Sequence, residues 1–201
     1  MDKAEKTPFI IEYDDESIMK RRLAAHEKKR LSIKNDQVEI DGTGYTFARR
    51  KFVYGFSMIV PESFMDMPPE VAKRMFPYED RPEIIISDSG YRICIAFNST
   101  ELESRSPEDK LSGFQGFIKR ICPTSVFFFS GIYNLSNGLK IVHYDYRYPA
   151  VDSDLYDLTF FTDLPDMELL GWFICPVALK DKWEPLIREM VQTIQVETKE
   201  T

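Results

Sequence analysis

The sequence predicts an α+β fold in which an antiparallel β-sheet is flanked by helices on both faces, as an α/β/α sandwich. Three observations carry this expectation. From Gln37 onward, short alternating apolar runs are joined by tight-turn residues, the pattern of consecutive antiparallel hairpins. Three amphipathic stripes recur at helical spacing, and such stripes hide their apolar sides by packing on a sheet. No internal repeat, low-complexity tract or Ser/Gly linker divides the chain after residue 35.

Residues 1–35 read as a separate N-terminal basic helical extension. Asp14 or Asp15 can cap a helix running to about Arg30, with acids at its start and bases at its end, as the helix dipole favours. Lys20, Arg21, Arg22, Lys28, Lys29, Arg30 and Lys34 face a single acid, Glu27. Ile18, Met19 and Leu23 form a thin apolar face, so only the first two turns can dock firmly.

Residues 36–201 read as one domain. A hairpin joins Gln37–Ile40 to Tyr45–Arg50 through Asp41–Gly44, and a third run, Lys51–Val60, ends at Pro61, which lacks a ladder donor. Pro69 opens a short helix to Phe76, with Val71, Ala72, Met75 and Phe76 on one side. A second hairpin turns at Asp88-Ser89-Gly90, where Gly90 is expected to supply the positive φ. Ser106-Pro107-Glu108-Asp109 caps a helix whose stripe is Leu111, Phe114, Phe117, Ile118 and Ile121.

Asn137-Gly138 is the strongest short hairpin signal in the chain. After it, Val142, Tyr144, Tyr146 and Tyr148 alternate with His143, Asp145 and Arg147, giving one aromatic and one polar face. Before it, Phe127, Phe128 and Phe129 are apolar on successive residues, which predicts a strand at the sheet centre buried on both faces. Two more strands, about Leu155–Thr162 and Glu168–Cys175, lead to a closing helix at about Lys180–Gln195. Ala178, Leu179, Trp183, Leu186, Ile187, Met190, Val191 and Ile194 mark its buried side.

At 201 residues and 43% apolar composition, one core can bury roughly 70% of the unfolded surface without disulfides or metal. The three cysteines have no CxxC spacing, so neither a disulfide framework nor a four-thiolate zinc site is built, and a reducing, cytoplasmic setting fits best. No apolar run approaches the ~20 residues of a membrane span, and the opening residues lack a secretion signal. Basic residues cluster in the N-terminal extension and at Arg49-Arg50-Lys51. The net charge of −7 and the absence of a recognised motif speak against nucleic acid.

Catalytic groups are scarce. His26 and His143 are the only histidines, and nucleophilic catalysis by Ser or Cys usually needs such a base. His143 beside Asp145 could serve a hydrolase or transferase if a hydroxyl or thiol lay nearby; the plainer expectation is a strand histidine that faces solvent or bonds a neighbour. Cys94, Cys122 and Cys175 read as small core hydrophobes. Asp152, Asp154 and Asp157 form a carboxylate cluster without the glycine and terminal glutamate of a calcium loop, and read as a solvated turn. Asp41–Gly44 and Ser136–Gly138 are turns and not phosphate loops, because neither joins a strand to a helix. No catalytic, cofactor-binding or metal-ligating residue is therefore assigned, and no cofactor is expected.

Phe56-Ser57-Met58-Ile59-Val60-Pro61-Glu62-Ser63-Phe64 resembles the opening strand and turn of the PsbP-like superfamily. Gly171-Trp172-Phe173-Ile174-Cys175, Trp183-Glu184-Pro185-Leu186 and Met190–Ile194 resemble its last strand and closing helix. The likeness covers about Lys51–Val196. It implies an antiparallel sheet flanked by helices, as in photosystem II PsbP, Ran-binding Mog proteins, bacterial DcrB-like proteins and Eag secretion chaperones. It also implies binding, assembly or chaperone modules rather than enzymes. The leading expectation is thus a non-enzymatic cytosolic protein that recognises a protein partner through a groove or sheet face, with homodimerisation open. The rival is an enzyme built around His143 and Asp145.

Overall fold

The structure, a computed structural model, describes residues 31–102 and 104–197. The basic helix expected over residues 14–30, His26 included, lies outside them. β1 (Val38–Ile40) and β2 (Thr43–Tyr45) form the first hairpin, with Asp41 and Gly42 at φ 50° and 79°. The run Tyr45–Arg50 breaks at Thr46, so β3 (Phe47–Phe52) pairs instead with β4 (Phe56–Pro61). The expected run Lys51–Val60 is likewise interrupted by a tight turn between these strands: Gly55, at φ 73°, donates its N–H to the Phe52 carbonyl at 3.2 Å.

β5 (Met65–Asp66), α1 (Pro69–Met75), β6 (Ile84–Ser87) and β7 (Cys94–Thr100) follow. At the β6–β7 turn the left-handed residue is Tyr91, at φ 55°, and not Gly90. Asp88 explains the difference, because its carboxylate accepts from the backbone N–H groups of Gly90, Arg92 and Ile93 and fixes the loop from within. α2 (Pro107–Ile121) starts as expected, with the Ser106 hydroxyl accepting from the Asp109 N–H at 3.1 Å.

β8 (Val126–Asn134), β9 (Lys140–Pro149), β10 (Asp154–Asp163) and β11 (Glu168–Pro176) form the long meander, closed by α3 (Lys180–Val191) and β12 (Gln195–Val196). α3 stops short of Gln195. The Thr193 hydroxyl donates to the Met190 carbonyl and accepts the Ile59 N–H, and the chain then joins β4 as a strand.

All strand pairings among the described residues are antiparallel. Seven strands form one sheet in the order β5-β6-β7-β11-β10-β9-β8, and β12-β4-β3 form a second. Directly paired residues share a face. One such set runs Tyr144, Thr159, Trp172, Ala96, Ile85 across the large sheet. α1 packs on it through Ala72 and Val71, near Trp172 and Cys94; α2 packs through Ile118, Leu111 and Phe114, near Val142 and Tyr144. The alternate set runs Asp145, Leu158, Phe173, Ile95, Ile86. Here Trp183 of α3 meets Phe173 at 5.6 Å, and Phe52 and Phe56 of the small sheet meet Phe97 at 4.8 and 5.1 Å.

Gly171 shows how tightly this second set is filled. It lies opposite Phe160 on β10, and a Cβ there would fall inside the van der Waals envelope of the Phe160 ring. We expect Gly171→Ala to destabilise the fold by about 2 kcal/mol, the usual cost of overpacking a core. Urea unfolding followed by tryptophan fluorescence measures this, and an unchanged midpoint would contradict it.

Candidate functional site

The alternation along β9 predicts a strand that is half polar and half aromatic, with its polar residues facing water. The alternation is real, but both central polar residues are buried: His143 is 3% exposed and Asp145 1%. The cover comes from α3. Lys180, Glu184 and Arg188, spaced four apart, lie in one row along that helix. Lys180 Nζ donates to Glu184 Oε2 at 2.7 Å, and Arg188 Nε donates to Glu184 Oε1 at 3.0 Å. Arg188 then reaches the strand, with Nη2 3.1 Å from Asp145 Oδ2 and Nη1 3.2 Å from His143 Nδ1. The Tyr156 hydroxyl also donates to Asp145 Oδ2, at 3.2 Å.

This arrangement fixes the hydrogen-bonding role of His143 Nδ1. A guanidinium N–H can only donate, so Nδ1 accepts and the imidazole proton sits on Nε2. Burial, reinforced by the Arg188 charge, pushes the His143 pKa down to about 4. The imidazole is therefore neutral at pH 7, and its lone pair is occupied. Among the described residues its hydrogen-bond partner is Arg188, its ring neighbours are Phe129 and Tyr133 at 5.4 and 5.2 Å, and no serine, threonine or cysteine bonds to it as a nucleophile would. Burial raises Asp145 above the ordinary carboxylate range, and Arg188 opposes that shift.

The other candidate groups disperse. Asp154 pairs with Arg147 at 2.8 Å, Asp152 is exposed, and Asp157 is buried with the Thr159 hydroxyl donating to it at 2.7 Å, so the three carboxylates do not converge. No group of metal-ligating side chains occurs among the described residues. Burial pushes the Cys94 and Cys175 thiols up to about 12, in keeping with core positions. Cys122 differs from expectation: it is only half-buried, at the end of α2, and the neighbouring Ser125 and Thr124 lower its pKa. Arg49 bonds Ser57 and the Thr193 carbonyl, Arg50 pairs with Asp66 at 2.6 Å and Lys51 with Glu197 at 2.9 Å. Internal contacts thus engage all three bases.

The larger correction concerns β8. Its three successive phenylalanines predict a place at the sheet centre, yet β8 is the sheet's edge strand. A bulge between Phe127 and Phe129 inserts Phe128 as an extra residue, which breaks the period of two and makes three successive apolar residues compatible with an edge. Phe128 is 44% exposed and Phe129 56%, and Val126 beside them and Phe117 and Ile121 of α2 are also exposed.

Each ring has a cation near its face: Lys119 at 5.8 Å from Phe127, Lys180 at 4.9 Å from Phe128 and Arg188 at 5.4 Å from Phe129. The row that buries His143 therefore also fixes the outward aromatic surface. Clefts also lie beside two of the helices. One of about 210 Å³ lies beside Lys110, which is held by Asp163 and Glu168, and one of about 390 Å³ lies beside α1.

Two tests follow from the buried groups. Arg188→Met should cost about 3 kcal/mol by leaving Asp145 buried and unpaired, and adding Asp145→Leu should recover most of that. Chemical denaturation of the single and double variants measures the difference, and equal stability of all three would contradict it. The second test concerns pH. Acidification from 6.5 to 4 protonates His143 in the unfolded chain first, so this group removes roughly 3 kcal/mol of stability across that window. Asp157, raised to about 7 by burial, holds its proton only in the folded state between its ordinary 3.8 and 7, so it adds stability as pH falls. His143→Gln should therefore gain stability on acidification relative to the parent, and Asp157→Asn should lose it. Parallel slopes for all three proteins would contradict both assignments.

No protein-family model and no curated protein matches the chain. Solved structures do. Cyanobacterial PsbP (CyanoP) from Synechocystis sp. PCC 6803 superposes with a TM-score of 0.57 at 12% identity, over 75% of this chain and 92% of that one. LpqN of Mycobacterium tuberculosis, involved in cell envelope biogenesis, gives 0.50 at 9% identity, over 84% and 89%. Likeness at such identities is one of fold, and with the motifs at Phe56–Phe64 and Gly171–Ile194 it places the chain in the PsbP-like fold.

Proposed function

We propose that this chain is a non-enzymatic protein-recognition module. The observation that carries the reading is the pair Phe128 and Phe129, held exposed on an edge strand with a cation near each ring. Large aromatics anchored in place contribute strongly to protein interfaces, and here they lose little freedom on binding because Lys180 and Arg188 already constrain them. The architecture we infer is helices on both faces of the large sheet; the packing of α1 and α2 on one residue set, and of α3 on the alternate set, supports it. Residues 36–201 then act as one domain and residues 1–35 as an extension, a reading supported by the compact unit that the chain forms from Ser32 onward. Among the described residues no helix is long and apolar enough to cross a membrane, and a cytoplasmic location, a chaperone-like role and a bacterial source are parts of the proposal. The enzyme alternative is disfavoured by the occupied Nδ1 of His143 and its depressed pKa.

A photo-crosslinking residue in place of Phe128 tests the reading in native lysate, with the fully exposed Val151 as the control position. A discrete protein adduct at 128 and none at 151 is expected. Labelling of equal pattern at both sites would contradict recognition through this surface. A turnover assay in which His143→Gln abolishes an otherwise measurable activity would favour the enzyme instead.

A further inference from the structure

We propose that β8 is a docking strand, and that its occupant is an extended acidic segment of a partner protein that pairs with the open edge as an eighth strand of the large sheet. This rests on the protein-recognition reading and names its partner chemistry.

Among the described residues β8 has nine residues, Val126–Asn134, with a single neighbouring strand, β9, whereas the opposite edge of the same sheet is the two-residue β5. An edge strand directs every second N–H and C=O away from its neighbour, and proteins that stay monomeric blunt such edges with charge, proline, bulges, brevity or a covering element. β5 is blunted by brevity, and the edge strand β3 of the small sheet carries Arg49, Arg50 and Lys51. β8 holds no charged residue and no proline. Its bulge lies at Phe128, and from Phe129 to Asn134 its pairing with β9 is regular, which leaves an uninterrupted ladder open to a partner.

Charge selects the occupant. In a chain of net charge −7, the groups around β8 are Lys119, Lys180 and Arg188 near its rings, Arg147 paired opposite Val126 and Lys140 opposite Asn134. Lys180, Arg188 and Arg147 are matched by Glu184, Asp145 and Asp154, with Asp181 also 3.8 Å from Lys180, so the cations around β8 without a carboxylate partner among the described residues are Lys119, which donates to the Ser125 carbonyl at one end of the strand, and Lys140 at the other. A second copy pairing β8 antiparallel to itself would bring the Lys119 end of one strand onto the Lys140 end of the other. Like charges then meet across the interface, which disfavours that dimer. A helix cannot engage the open backbone groups of an edge. An extended segment carrying carboxylates among apolar side chains satisfies the backbone, the exposed rings and the cations together.

The test uses the full chain and two synthetic decapeptides, one alternating glutamate with valine and phenylalanine, the other with lysine in place of glutamate. Fluorescence anisotropy should show the glutamate peptide binding at least tenfold more tightly than the lysine peptide at low salt. N-methylation of alternate peptide amides should abolish binding in one frame and spare it in the other. Hydrogen exchange should slow at residues 129–134 in the complex. Phe128→Ser/Phe129→Ser should weaken binding at least tenfold with its unfolding midpoint within a few degrees of the parent; if that variant unfolds, Lys140→Glu, at an exposed position opposite Asn134, serves in its place and should weaken the glutamate peptide selectively. Equal affinity for both peptides, or indifference to N-methylation, would overturn the proposal. So would a concentration-dependent dimer with protected β8 amides, since the occupant is then a second copy. A Phe128 crosslink to a native partner together with unprotected β8 amides would overturn the strand-addition mode while leaving protein recognition intact.

Discussion

The Arg188 guanidinium is the constraint on which the functional surface depends. It leaves α3, enters the space above the large sheet and meets Asp145, Glu184, His143 and the Phe129 ring. Two carboxylates and one imidazole lone pair draw on a single planar fork, which only arginine can satisfy with fixed geometry. Because the pairing is partly buried, its value for stability is small beside the cost of removing one member. What it determines is specific placement: the register of α3 over β9, the tautomer of His143 and the outward pose of Phe129.

In the proposed reading, that arrangement makes His143 and Asp145 a structural pair. A histidine two residues from an aspartate on a strand has the composition of a catalytic pair, but catalysis needs a free lone pair, a pKa near the working pH and a reacting group in reach. His143 has none of these: its Nδ1 is engaged, its pKa is driven far below neutral, and the rings around it are aromatic. The consequence appears one strand away, where the same cations that neutralise the interior hold two phenylalanines at the surface. A polar row inside and an aromatic strip outside are two sides of one helix–strand junction.

Much of the fold was legible in the residues because strand alternation and helical stripes are local signals. The hairpin at Asn137-Gly138, the cap at Ser106 and the buried side of the last helix needed no tertiary information. Legibility failed where one pattern has two physical causes. Three successive phenylalanines describe both a strand buried on two faces and an edge strand with an inserted residue, and only the pairing register separates them. The polar face of β9 likewise gave no hint of its cover. A signal was present in α3, where Lys180, Glu184 and Arg188 at four-residue spacing flank the buried Trp183 and Ile187, so that a charged row borders the docking side of the helix. The Asp88 carboxylate that displaced the left-handed residue from Gly90 to Tyr91 was visible in sequence too, but its three backbone bonds depend on the final loop shape.

The direct measurement is the nitrogen-15 chemical shift pair of the His143 imidazole in the folded protein at pH 6. The account predicts a neutral ring with its proton on Nε2 and an acceptor shift at Nδ1, the state that a donating Arg188 enforces. A charged imidazolium, or a proton on Nδ1, would mean that Arg188 does not hold this ring, and the structural explanation of both the buried row and the exposed phenylalanines would be contradicted.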